Sequence, residues 1–371
     1  MTDELRVDGS ATAYRLHDIG YAIALDRAAE LLGTAPTSRV RPARLEARAI
    51  EIRNPPISVQ LRTFDLKLER DTCAATISVH LFDFGVCSLQ VHVQAPRSLD
   101  WSAFAEFGAA VDRSPDLKAV FDDALASITQ RIAAAIDRPA IAPLSEDYRV
   151  YRIDAITGSG GRPISQVLSD EQLVRLLFGE RRRVSDEARR ELIPHRFSYY
   201  DDDFTVLTWE NALVVEPSSD DRDVEHILEF ANAQLLELRM YDLQLDAALP
   251  ALYDRVEAAR ARRRPRLAAR FRAVLSDLQA RVADITETVE RVENSLKVTN
   301  DVYLARIYAA ALELFRESAW RLGIERKLTI FRETYAMLNS EAQSARGELL
   351  EIAIVVLIVL ELVLGVFRSS T

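Results

Sequence analysis

Glu361 is the residue whose setting asks most of its chemistry. It lies inside residues 352–367, IAIVVLIVLELVLGVF, where every other residue is apolar. An ionised acid at the centre of such a segment costs about 2.5–3.5 kcal/mol in a bilayer. Glu361 is therefore expected to pair with a neighbouring helix or to stay protonated. A second group is cationic: Arg260, Arg262, Arg263, Arg264, Arg266, Arg270 and Arg272. Arg262, Arg263, Arg264 and Arg266 are the candidate contacts to the phosphates of anionic lipid or RNA. The plainer reading is a solvated helix–helix turn.

Other chemistry-bearing residues lack a pattern. The acidic runs Asp201-Asp202-Asp203 and Asp220-Asp221 lack calcium-loop spacing and suit turns and helix starts. His80, Cys87 and His92 fall on one hairpin, and a two-residue turn there would set the histidines on opposite faces, away from a common metal. TGSGGRP at 157–163 lacks the Lys-Ser/Thr of a phosphate-binding loop. G-x-S-x-G, H-E-x-x-H and C-x-x-C are absent. The expectation is a non-enzymatic protein with no catalytic, cofactor or metal residues.

Composition narrows the class. The 371 residues are 49% hydrophobic and 28% charged, which is ordinary for globular chains, and suffice for two or three domains. A net charge of −10 gives no global case for nucleic-acid binding. Two cysteines form neither a disulfide framework nor a zinc site and fit a reducing compartment. The polar start MTDELRVDGS is not a secretory signal.

The elements that must position these residues fall into two regimes. Residues 1–145 and 146–218 read as two α+β modules, each running strand, helix, hairpin, helix. In the first, a strand near 13–16 precedes a helix from Leu25 to Gly33, a hairpin at 76–81 and 86–93, and a helix from Trp101. In the second, a strand at 148–153 precedes a helix ending at Gly179 and a hairpin at 204–209 and 212–216. The recurrence suggests duplication. Residues 219–347 read as a helical stalk of coiled-coil hairpins. One helix starts after Asp223 and carries Pro250, a second places Leu267 through Leu296 on one face, and a third starts after Thr299-Asn300-Asp301 and ends near Trp320–Gly323. The last helix repeats Ile324, Leu328, Phe331, Tyr335, Leu338, Ala342, Ala345, Leu349 and Ile352 at spacings of four and three, a coiled-coil seam. Leu328, Leu338, Ala342, Ala345 and Glu361 are the candidate oligomer contacts. Residues 348–371 read as a transmembrane tail anchor with the body in the cytoplasm.

Three stretches carry a family resemblance. LEFANAQLLELRMYDLQLD at 228–246, ENSLKVTNDVYLARIYAAA at 293–311 and YAMLNSEAQSARGELLEIAIVVLIVLELVLGVF at 335–367 resemble the "required for meiotic nuclear division" family, a yeast sporulation protein and its mitochondrial relatives. The resemblance implies acidic residues kept at Glu351 and Glu361, a non-catalytic organiser at a membrane (the mitochondrial inner membrane in a eukaryote) and association with the ribosome. The resulting expectation is a non-enzymatic, membrane-anchored scaffold or tether that self-associates through its stalk, as a homo-oligomer with an unknown client. Two alternatives stand beside it: a soluble coiled-coil oligomer with the last helix in its core, and an enzyme with a site between the α+β modules.

Overall fold

The computed structural model describes residues 5–33, 37–39, 50–52, 54–69, 71–180, 182–217, 222–260, 296–298 and 302–369, with Ala283 and Thr286 standing alone. Alternating apolar residues build its main feature. Ten strands join in one sheet: β1 (Arg6–Asp18), β2 (Thr37–Arg39), β3 (Ile57–Lys67), β4 (Thr72–Leu81), β5 (Val86–Gln94), β6 (Leu99–Asp100), β7 (Ser145–Thr157), β8 (His195–Phe197), β9 (Phe204–Leu207) and β10 (Asn211–Val215). Their order is β8-β9-β10-β7-β1-β5-β4-β3-β2, with β6 beside the start of β1. The protein is thus α+β, a large mixed sheet with helices followed by C-terminal helices.

The long strands β1 and β7 join the strands of 1–145 to those of 146–218, antiparallel from Arg6 opposite Thr157 to His17 opposite Ser145. A bulge at Asp8/Gly9 brings the backbones so close that a Cβ on Gly9 would sit 2.2 Å from the Arg152 carbonyl oxygen. In both segments the first strand takes the last strand of the following hairpin as its neighbour. The sense differs, however: β5 runs antiparallel to β1, whereas β10 runs parallel to β7. The two segments share an order of elements without sharing a pairing pattern.

Period-two alternation gives the sheet two unlike faces. One carries Ala11, Ala13, Ile77, Val79, Leu89, Val91 and Ile153, and packs under α1 (Leu25–Leu32), α2 (Trp101–Asp112), α3 (Leu117–Arg131) and α4 (Asp170–Phe178). These helices start and stop where their sequences dictate. Asp100 accepts from the Ala103 N–H, Ser169 and Gln172 form a capping box, and Gly179 closes α4 at φ 66°. A short helix, α5 (Asp186–Leu192), follows. The other face carries Thr12, Tyr14, His80, Ser88, Gln90, Tyr148 and Arg152, and meets the first half of α6 (Asp223–Arg260) and α7 (Val302–Leu314). Between 223 and 241 every residue of α6 except His226 and Arg239 is buried.

The chain forms two compact units, residues 1–240 with 289–318, and residues 241–288 with 319–371. In the second, Lys327 bonds Asp242 at 2.6 Å and Asp246 at 2.5 Å. The expected break at Trp320–Gly323 lies earlier, at Phe315–Arg316, where Arg316 adopts φ 52°. The last helix, α8, then runs Glu317–Ser369, through Gly323 and Gly347. The helix expected to carry Leu267 to Leu296 and the interruption at Thr299-Asn300-Asp301 fall outside the described residues, apart from Ala283, Thr286 and a short strand at Leu296–Val298 that pairs with Ile50–Ile52.

Among the described residues, no helix is long and apolar enough to cross a membrane. This overturns the tail anchor expected at 348–371, the membrane localisation and the membrane-anchored scaffold or tether. The physical reason is length. Sixteen apolar-segment residues rise about 24 Å, short of about 30 Å of hydrocarbon, and Glu361 interrupts them.

Candidate functional site

Among the described residues, the buried polar layer between the sheet and α6 brings His80, Glu229, Arg152 and Glu225 together. His80 comes from the inner end of β4, and Glu229 from the second turn of α6. Glu229 Oε2 lies 2.7 Å from His80 Nδ1, and Ser58 Oγ lies 2.9 Å from His80 Nε2. Gln90 Nε2 donates to Glu229 Oε1 at 2.7 Å and lies equally close to His80 Nδ1. The His226 ring centre is 6.0 Å from that of His80. Burial pushes the Glu229 carboxyl up, but the His80 charge and hydrogen bond, with Ser88 and His226, outweigh it and hold the group below its ordinary range.

A second cluster lies further along the same face. Arg152, 1% exposed, donates to Asp154 at 2.7 Å, Glu225 at 2.7 Å and the Glu216 carbonyl at 3.1 Å. Arg239 of α6 pairs with Glu146 of β7. His92 bonds Thr12 at 3.1 Å, and its pKa falls to about 4, first through burial and then through the Arg222 charge. The same environment pushes Tyr14 well up, through burial and then Glu229 and Glu225. Burial, with Glu229, raises the Cys87 thiol, which removes it as a nucleophile.

Ser58, His80 and Glu229 are hydrogen-bonded in the order of an acyl-transfer triad. The surroundings do not supply the rest of that chemistry. Ser58 sits inside β3 with Ser38 opposite on one side and His80 opposite on the other, so the local backbone is committed to the sheet and makes no oxyanion hole. His80 and Glu229 are 6% and 4% exposed. The arrangement suits a fixed, desolvated contact that selects which side of α6 meets the sheet.

The hairpin geometry corrects one expectation. Four residues separate Leu81 from Val86, with Gly85 at φ 101° in the turn, and His80 faces Ser88 while Thr76 faces His92. His80 and His92 therefore share a face. Among the described residues, no three His, Cys, Asp or Glu side chains gather as metal ligands.

Of the other residues singled out by sequence, Leu328 is 6% exposed within the single chain, alongside the buried seam residues Ile324 and Phe331. Leu338, Ala342, Ala345 and Glu361 lie on α8, but their side chains fall outside the described residues. Arg262, Arg263, Arg264 and Arg266 fall outside them altogether. Sequence reasoning missed the whole polar layer. The signal was the acid pair Glu225 and Glu229, four apart on one side of a long helix, facing strands whose polar alternates read as solvent-exposed.

A cleft of about 780 Å³ opens on the other side of the sheet. Its walls are the first turns of α2 and α4 with Glu180, Arg182, Val184 and Arg189, so it draws on both 1–145 and 146–218. The Trp101 indole N–H donates to the Gln172 carbonyl at 3.0 Å and ties the two helix starts together.

Fold and polar layer define an α+β protein in which one mixed sheet is apolar under short helices and charged under a long one. The family described as "Uncharacterized protein MJ0711, N-terminal domain" matches residues 8–221, and the chain belongs to that family. A relative, "Uncharacterized protein MJ0711" of Methanocaldococcus jannaschii, is 26% identical over 196 residues, 53% of this chain and 59% of the relative. The chain thus spans less than two thirds of the relative it matches. No solved structure matches.

This membership overturns the resemblance to the "required for meiotic nuclear division" family. The stretches that carried it are rich in Leu, Ala and spaced charges, a pattern that long helices of unrelated proteins share. The mitochondrial and ribosomal expectations rested on that resemblance alone.

Proposed function

We propose that the protein is a non-catalytic, self-associating protein whose assembly runs through the end of α8. The observation that carries this reading is the segment 354–358. Ile354, Val355, Val356, Leu357 and Ile358 are 52, 58, 56, 65 and 51% exposed. Consecutive helical residues are 100° apart, so five of them circle the axis. The helix is apolar on all sides there, a pattern that belongs in an interior. Burying the exposed halves of five such side chains is worth about 5 kcal/mol per chain. A two-helix contact would leave the outer faces wet, so the reading calls for three or more helices. The coiled-coil spacing that leads from Tyr335 into this segment supports the same arrangement.

Sedimentation of the full chain at micromolar concentration tests it. Trimers or larger assemblies are expected, and Val356→Glu with Leu357→Glu should return them to monomers while circular dichroism stays unchanged. A full chain that sediments as a monomer in detergent-free buffer would overturn the reading.

A further inference from the structure

The cleft at the starts of α2 and α4 has a chemistry of its own, independent of assembly. Its volume of about 780 Å³ suits a small molecule. Three arginines line it, and their cationic capacity is only partly used. Arg175 leans on Glu106 at 3.3 Å. Arg189 meets Asp186 through its Nη2, while its Nε–H is buried with no acceptor. Arg182 is exposed and has no ion-pair partner among the described residues. The first turns of α2 and α4 border the same space, their N–H groups already met by Asp100 and by the Ser169–Gln172 capping box.

Asp100, Glu171 and Glu180 also line the cleft. Three carboxylates beside three arginines disfavour a bare anion as the whole ligand. They favour one that carries an anionic head for the guanidinium forks and hydroxyl donors for the acids. Ser102 adds a hydroxyl on the α2 side.

We propose that this cleft binds a phosphorylated, hydroxyl-bearing small molecule of the sugar-phosphate class, with Arg182 and Arg189 on the phosphate and Glu171 and Glu180 on the hydroxyls. The phosphate site is built by Arg189, whose buried Nε–H has no acceptor, and by Arg182, exposed on the same cleft. Arg175, paired with Glu106 at 3.3 Å, adds a third cationic side chain to the cleft wall.

Isothermal titration of the full chain with ribose 5-phosphate, ribose and inorganic phosphate tests the proposal. Ribose 5-phosphate should bind saturably, inorganic phosphate at least tenfold more weakly, and ribose not at all. Arg182→Ala, at an exposed position where folding is not at stake, should weaken ribose 5-phosphate at least tenfold. Arg182→Lys should recover part of the loss, because it keeps the charge and loses the fork. Glu180→Gln should weaken ribose 5-phosphate and leave inorganic phosphate unchanged. Absence of saturable binding, or equal binding by wild type and Arg182→Ala, would overturn the site. Equal affinity for ribose 5-phosphate and inorganic phosphate would overturn the role given to the acids. Self-association is read by sedimentation, so either result leaves the other question standing.

Discussion

The two faces of the sheet solve the same covering problem with opposite chemistry. The face under α1–α4 is a continuous apolar core built on Val79, Leu89, Val91, Phe104 and Phe121. The face under α6 sets Arg152 against Glu225, His80 against Glu229 and Glu146 against Arg239. Apolar contact is non-directional and depends on volume. A buried ion pair gains little net stability, yet it strongly disfavours any placement that separates the partners. Several short helices can settle on an apolar face by shape. One long helix that is buried almost all round from 223 to 241 takes no rotational cue from burial alone, and the acids Glu225 and Glu229 supply one.

That contrast predicts how each face breaks. Arg152→Leu strands Glu225 beside the Glu216 carbonyl and should cost about 3–5 kcal/mol in urea unfolding. Adding Glu225→Met should recover most of it, and failure to recover would show that Arg152 acts by packing alone. On the apolar face, Leu89→Ala should cost about 2–5 kcal/mol, and no second substitution at a contacting residue should restore it. By contrast, His80→Leu with Glu229→Leu should fall within about 2 kcal/mol of wild type, although either change alone costs more. If the double variant is as unstable as the worse single one, the pair is not what positions α6.

The smallest effect concerns pH. His92 has its pKa lowered from 6.5 to about 4, so the folded state resists its proton. Its contribution is complete above pH 6.5 and drains away as pH falls toward 4. Asp18, at the end of β1, is raised from 3.8 to about 6 by burial, against a hydrogen bond from the Gly20 N–H. Its contribution is complete below pH 3.8 and is lost as pH rises through 6. Between pH 4 and 6 the two oppose each other. Relative to wild type, His92→Gln should gain stability as pH falls across that window and Asp18→Asn should lose it. Each change is expected at roughly 1–2 kcal/mol after solvent screening. Parallel pH curves for wild type and both variants would dissociate these groups from the acid response.

Local structure was legible where the chain carries its own punctuation. Gly33, Trp101 and Gly179 mark helix limits through a capping residue or a glycine at positive φ, and these boundaries fall where the spacing puts them. The β4–β5 hairpin was read with its strands in place but with too short a turn, which misplaced His92 relative to His80. The polar layer could not be read. A strand such as β5, alternating Ser88, Gln90 and His92 with Cys87, Leu89 and Val91, looks like a sheet with one wet face. Only the long-range arrival of α6, about 140 residues later in the chain, makes that face an interior. The cleft was invisible for the same reason, since its two walls come from segments about 70 residues apart.

The N-terminal unit is not continuous in sequence: it includes residues 289–318, among them Tyr303, which reaches Thr205, and Phe315, which packs on Tyr148 and Trp209. During synthesis the sheet must therefore wait for its last covering pieces. From Met240 to Ser318 the ribosome adds 78 residues, which at ~5–20 residues per second takes roughly 4–16 s. Through that interval Tyr148 lacks the aromatic ring that later covers it, and the nascent chain presents a partly uncovered sheet to the chaperones around it.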